Sequence, residues 1–241
     1  MRIIFSIALL LLLSAPAQAQ NYKTLLDIPE GGTLVDLSAT ERVEVKQDLL
    51  TATLRYETEN SNPRALQNEI NHHIKEALEI AKNFGSVKTS TQGYNVYKYD
   101  PNRHKKSLAS KNIWRGSQSL HLKSKNSDDL LALVGRIQGT GLIMNGLNYS
   151  VSPELLEETR NNLLEAALTK LQVKAQRTAR ALGKTKTDLL HVTVDSGGYS
   201  SMRMKGRAMA MSDMAEMAAP VAAPGQSNIS LTVRTTALIK P

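Results

Sequence analysis

Cysteine is absent from all 241 residues. Without thiols the chain forms no disulfide, so its stability comes from a packed core, and thiol catalysis and cysteine metal sites are excluded. Long hydrophobic runs are also scarce. The longest, Ile3 to Leu13, is too short for a spanning helix, which needs about 20 residues to cross the hydrocarbon core, and no later segment approaches that length. Aromatic residues make up 4% of the chain, with a single tryptophan. Nucleic-acid binding calls for a basic stripe interleaved with stacking aromatics, and the sequence shows none. Its nearest basic patch, "RHKKS" at Arg103–Ser107, follows "YDPN" and reads as a solvated hairpin tip.

Signatures of catalysis are missing too. "DSGGYS" at Asp195–Ser200 is glycine-rich but lacks the strand-to-helix context of a nucleophile elbow. "GKTKT" at Gly183–Thr187 lacks the upstream glycine of a phosphate loop and reads as a helix end. His72 and His73 stand without the glutamate spacing of a zincin. His73 borders an apolar helical stripe and is better read as a boundary core residue than as a metal ligand. We assign no catalytic residue and no cofactor, and expect a protein that is not an enzyme.

The first nineteen residues have the form of a secretory leader: Arg2, the apolar run, then "SAPAQA", whose Ala17 and Ala19 suit signal peptidase. Cleavage after Ala19 leaves 222 of the 241 residues, enough for one large or two small domains. Of 30 basic residues Arg2 is lost, so 29 face 22 acidic ones. The excess is spread along the chain, and electrostatic attachment to an anionic surface is open to it. The expected place is the periplasm.

Residues 20–32 read as a lead-in. Val35, Leu37, Ala39, Val43 and Val45, then Leu50, Ala52, Leu54 and Tyr56, alternate as half-buried strands do, and suggest two or three strands in a meander. Pro63 follows a polar cap, and Leu66, Ile70, Ile74, Ala77, Leu78 and Ala81 lie on one helical face that Gly85 closes. A long hairpin follows, in which Tyr94, Val96 and Trp114 read as cross-strand packing. A second helix is capped at Ser127, with Leu130, Leu131, Val134 and Ile137 on its apolar side. After the strand "IMNGLNYSVS", Pro153 opens a long helical pattern to Leu182. Its apolar positions are Leu164, Ala167, Leu168, Leu171, Ala175, Ala179 and Leu182, and Gly183 ends it. "TDLLHVTVDSGG" and "SNISLTVRTTALIK" are strands again. The order predicts an α+β fold: a mixed, largely antiparallel sheet braced by two or three helices, one of them long.

Between the last two strands, residues 202–225 form a Met-, Ala- and Pro-rich loop. "MRMKGRAMAMSDMAEM" holds six of the eight methionines. Three readings stand: an adaptable contact surface, a reversible oxidant trap through sulfoxides, and a Cu(I) site at Met202, Met204, Met209 and Met211, since thioethers select soft ions.

The opening "VDLSATERVEVKQDLLTATLRYETE", the helix "ALQNEINHHIKEALEIAKNFG", the hairpin strand "TSTQGYNVYKYD", the helices opened by "SDDLLALVGRIQGTG" and "LLEAALTKLQVKAQRTARALG", and the closing "ISLTVRTTALIK" together resemble the SIMPL-domain family of bacterial periplasmic and surface proteins. The resemblance spans roughly residues 33 to 240 and makes 33–241 one domain. It implies an α+β periplasmic protein that self-assembles as a homo-oligomer, without nucleic acid or a membrane span, in an envelope role linked to oxidative stress. It implies no defined reaction. The chain departs from the usual opening at "LSATERVEV", with Glu41 and Arg42 where glycine-containing turns are common. Mass spectrometry of protein from a periplasmic fraction should find a chain beginning at Gln20; an intact Met1 in the cytoplasm would refute export.

Overall fold

The computed structural model describes residues 28–100, 113–195, 200–201 and 220–241. In chain order the elements are β1 (Thr33–Lys46), β2 (Leu49–Asn60), α1 (Pro63–Ala81), β3 (Lys88–Tyr99), β4 (Ile113–Ser124), α2 (Ser127–Gln138), β5 (Ile143–Ser150), α3 (Pro153–Ala181), β6 (Lys186–Asp195), β7 (Ser200–Ser201) and β8 (Gln226–Lys240). The strands are shared between two antiparallel sheets. One has the order β1-β8-β6 with β7 also on β8, and the other the order β3-β4-β2-β5. The α+β class and the long helix are those the periodicities indicate.

The expected meander does not form. β1 and β2 alternate as read, but β1 pairs with β8 along its whole length while β2 lies between β4 and β5. Alternation fixes which face of a strand is buried and is silent about its neighbour. Only Gln47 and Asp48 link the two strands, so the chain crosses from one sheet to the other within two residues. It crosses again at Val151–Ser152, between β5 and α3.

In the β3-β4-β2-β5 sheet, Leu50, Ala52, Leu54 and Tyr56 of β2 and Leu120 and Leu122 of β4 face α1 and α2. The Asn62 side chain accepts from Arg64 N at 2.9 Å and Ala65 N at 3.3 Å, and Pro63 occupies the first turn, where its missing N–H costs nothing. Leu66, Ile70, Ile74, Ala77 and Ala81 are buried, whereas Leu78 lies at the edge of the stripe. The helix gives out at Lys82, ahead of Gly85, which does not adopt the left-handed backbone of a glycine cap. A Cβ on Gly116 of β4 would fall 2.6 Å from both Ile70 Cδ1 and Leu66 Cδ2. Glycine there lets α1 settle close onto the sheet. In α2 the cap is Asn126, whose side chain accepts from Asp129 N at 3.2 Å; Ser127 is already helical. Leu133 is buried in place of Leu131, on the other flank of the stripe that Leu130, Val134 and Ile137 share.

The long helix α3 lies along β1 and β8. Its buried residues are Thr159, Leu163, Ala167, Leu171, Ala175 and Ala179, a single row at four-residue steps. Each such step advances the row about 40° around an ideal helix, so it winds as an i±4 ridge does and follows the twist of the sheet beneath. Leu164 and Leu168 flank the row half-buried, and Leu182 lies beyond the last turn, exposed. Three alanines in the row bring the helix axis near the sheet. Gly183, at φ +69°, makes the left-handed turn that ends it, as "GKTKT" suggested.

Glu41, at the departure from the family's opening, lies within an unbroken strand, paired with Leu231. It shares the helix-facing side with Leu37 and Ala39, and Lys170 of α3 meets it at 2.7 Å. Leu171→Asp should cost several kcal/mol, because it strands a charge at a position with no exposure. Leu168→Asp should cost less and Lys170→Ser about 1 kcal/mol or below, the range for an exposed ion pair. Equal melting temperatures for the three variants would refute this orientation of the helix.

Candidate functional site

The residues proposed for metal binding, Met202, Met204, Met209 and Met211, lie outside the described residues, as do residues 1–19, read as a leader, and "RHKKS". Where their segment leaves and re-enters the fold is nevertheless defined. β7 pairs Ser200 with Asn228 and Ser201 with Ser227, at the start of β8, and the chain returns through Pro220–Gly225 to the same end of that sheet. Both ends of the methionine-rich segment therefore meet beside the Gln47–Asp48 crossing.

That crossing is a dense polar junction. Gln47, buried, donates from Nε2 to Ser227 Oγ at 3.0 Å, accepts from Gly225 N at 3.2 Å, and its own N–H reaches Gly225 O at 3.0 Å. Asp48 turns the other way and accepts from Ser152 N and Ser152 Oγ, both at 2.7 Å. Ser152 is fully buried and also caps α3, accepting from Leu155 N at 3.3 Å. Lys125 stands 3.5 Å from Asp48 and 3.1 Å from Glu154. Burial of Asp48 pushes its pKa up, but the Ser152 hydroxyl and amide, Asp48's own backbone amide and the Lys125 charge together outweigh this and hold it below the ordinary 3.8. A junction of this kind gave no signal in the sequence, since Gln47, Asp48 and Ser152 carry no motif.

The face of the β1-β8-β6 sheet turned away from α3 is open and polar. Register places Asp36 beside Thr236 and His191, Ser38 beside Arg234 and Thr193, and Thr40 beside Thr232 and Asp195. Thr236 Oγ1 donates to Asp36 at 2.7 Å, Thr40 and Thr232 hydroxyls meet at 2.9 Å, and Arg234 stands 3.4 Å from Asp195. Asp36, Ser38, His191, Thr193, Arg234 and Thr236 line a shallow trough of about 420 Å³. His191 Nε2 bonds Thr193 at 3.1 Å, while Ser38 of the same trough lies opposite Arg234. Asp195 of "DSGGYS" ends β6 and Ser200 begins another strand, not a helix.

A bulge between Leu189 and His191 decides which side chains reach this face. Counted by twos from Asp188, Leu190, Val192 and Val194 would share it; the extra residue puts His191 and Thr193 there instead. Val192 and Val194 turn to the α3 side, opposite Thr235 and Val233. There they lie past the helix's cover, and Leu190, Val192 and Val194 are 39%, 42% and 46% exposed on the outermost strand of the sheet.

His73 is a boundary residue. Its ring stacks on Tyr56 at 4.2 Å, and its Nδ1 lies 2.9 Å from the Thr140 carbonyl, which only accepts, so that nitrogen carries the proton. Tyr56 OH and Thr58 Oγ1 donate to the same Glu69 oxygen at 2.8 and 3.0 Å. Burial first, then the Glu69 hydrogen bond and charge, push the Tyr56 pKa up to about 12. The cluster fastens α1 to β2. On the outer face of that sheet Arg115 pairs with Glu59 and lies 4.2 Å over the Tyr99 ring, and the Glu59 bond, chief among its causes, drives its pKa upward. Trp114 and Val96 pack against the core as cross-strand residues should, whereas Tyr94 is exposed. No group of three or more His, Asp or Glu side chains among the described residues is placed to hold a metal ion.

Two helix-backed antiparallel sheets joined by two crossings that share one polar junction define an α+β protein whose distinctive surfaces are sheet faces and edges. The SIMPL family model, described as "Protein of unknown function (DUF541)", matches residues 35–237, and the chain belongs to that family. No curated protein matches it.

Because its folded-state pKa lies below the unfolded 3.8, Asp48 adds stability that is complete above that value and is lost as pH falls through the folded value. Asp48→Asn should cost about 1.5–3 kcal/mol at neutral pH, as for hydrogen bonds to a charged group, and should flatten the acid limb of the melting temperature against pH. An unchanged acid limb would remove Asp48 from this role.

Proposed function

We propose that this is an exported, non-enzymatic envelope protein that assembles with copies of itself and contributes to oxidative-stress tolerance. The observation that carries the proposal is β6. It ends its sheet with three apolar side chains in water, on a strand whose outer hydrogen-bonding edge has no strand partner among the described residues. Such an edge favours pairing with another chain. Apolar exposure grouped on one element marks an interaction surface more than scattered residues would.

Met202, the first of the run, follows the end of β6 by seven residues, so the run is joined closely in sequence to the same strand. Sulfoxide formation turns an apolar, flexible side chain polar and loosens contacts that methionine makes, and the change is reversible. Family membership supports the envelope setting, and the leader-like first nineteen residues support export to the periplasm. No helix among the described residues is long and apolar enough to cross a membrane, and the spread positive charge suits peripheral contact with an anionic envelope surface. The basic residues form no stripe flanked by stacking aromatics, which argues against nucleic acid as a partner.

Six methionines in sixteen positions favour one second reading, Cu(I) binding through Met202, Met204, Met209 and Met211. Light scattering after size exclusion separates the two. Val192→Lys with Val194→Lys should shift an oligomer toward monomer with little change in melting temperature, since both side chains are already partly solvated. Peroxide should shift the unaltered protein the same way, and deletion of residues 202–219 should abolish that response. Under the copper reading, changing the four named methionines to leucine leaves assembly intact and removes stoichiometric Cu(I). A monomer under all conditions would refute self-assembly.

A further inference from the structure

Where α3 ends and β6 begins, a cleft of about 620 Å³ opens, lined by Arg180 of α3, by Thr185, Lys186, Thr187 and Asp188, and by Lys240 of β8. Its charge is out of balance. Lys186 and Lys240 are directly opposite partners in the β6–β8 ladder, on one face of the sheet. Like charges at facing positions of an antiparallel pair are destabilising, and sequences usually avoid them. Asp188 answers one of the two, bonding Lys240 Nζ at 2.5 Å. Lys186 and Arg180 have no ion pair among the described residues, which leaves the lining with two positive charges and no counter-charge.

The surroundings do not supply one. The end of α3 carries a partial negative charge, about half an elementary charge at most. Its last carbonyls are already engaged: Thr178 O and Ala179 O accept from Leu182 N, Ala179 O also from Lys184 N, and Arg180 O from Gly183 N. The adjoining Lys184 adds a further cation, held by Gly31 O and Thr33 Oγ1. Thr185 and Thr187 also line it. Two uncompensated cations suit an oxyanion with several acceptor oxygens, since hydrogen bonds to charged oxygens are shorter and stronger than neutral ones.

We propose that this cleft binds a phosphate dianion, as inorganic phosphate or a phosphate monoester, with Lys186 and Arg180 as its charge partners. The dianion matches the two uncompensated charges and relieves the Lys186–Lys240 repulsion on binding. The site is separate from the exposed valines of β6 and stands whether or not the protein assembles. A monoester could come from a lipid headgroup at the envelope surface or from a soluble metabolite, and the two sources share the chemistry of the bound group.

The probe is inorganic phosphate at about pH 8, where its second proton is lost, titrated against the full mature chain at constant ionic strength with sodium chloride as reference. The melting temperature should rise with phosphate beyond the chloride control. Arg180→Gln with Lys186→Gln should weaken the apparent affinity about tenfold or more, as loss of charge-assisted bonds requires. Arg64→Gln with Lys75→Gln removes the same charge from exposed positions of α1, on the other sheet, and should leave the response intact. No phosphate response beyond chloride, or equal loss in the two double variants, would overturn the proposal. Vesicles of phosphatidylcholine containing phosphatidic acid identify the source: binding that free phosphate competes away indicates the lipid monoester, and a phosphate response without vesicle binding indicates a soluble one.

Discussion

The crossing at Gln47–Asp48 is the constraint from which the rest of the structure follows. Two residues carry the chain between sheets, and their side chains point to opposite tasks. Gln47 closes the β1–β8 sheet against Gly225 and Ser227, and Asp48 secures the second crossing through Ser152, which in turn caps the longest helix. A buried polar network of this kind is favourable only when its members are satisfied, because an orphaned amide or carboxylate in low dielectric costs more than its bond returns. Here one carboxylate fixes where α3 starts and, through it, which strands α3 covers.

Each sheet is left with one covered face and one open face. Antiparallel sheets support this arrangement, since alternate side chains can be given to core and solvent independently. The covered faces are apolar and tightly fitted, down to the missing Cβ of Gly116. The open faces are polar ladders, Asp36–Thr236–His191 on one and Arg115 with Glu59 and Tyr99 on the other. One extra residue at Leu190 exchanges the two faces of β6, sending histidine and threonine outward and the valines toward the helix side. The helix is too narrow to shelter them. The apolar edge near which the methionine-rich segment emerges is thus a product of sheet width, bulge and helix placement together.

Much of the local structure was legible in the residues. Strand β2 was readable because Leu50, Ala52, Leu54 and Tyr56 alternate without interruption, and α1 because its apolar residues recur at helical spacing behind an asparagine cap and a proline. The misreadings were of one position or one partner. Asn126 and Ser127 are both good caps, so sequence alone could not choose between them, and Leu131 and Leu133 are equally apolar, so only contact with the sheet decides which is buried. In α3 the six-residue row at four-residue steps was blurred by Leu164, Leu168 and Leu182, which are apolar without being buried.

The sequence by itself determined the absence of thiol chemistry, the leader-like start, the methionine concentration, the α+β class and most element boundaries. These depend on residue chemistry and on periods of two and 3.6 residues, which neighbours in the chain reveal. Tertiary structure alone decided that β1 pairs with β8, separated from it by some two hundred residues, and that Lys186 faces Lys240. It also decided that Glu41 finds Lys170, that Asp48 finds Ser152, and that β6 has its valines in water. Partner choice across long separations is set by burial of whole faces and by loop closure rather than by local propensity. No window along the chain contains it.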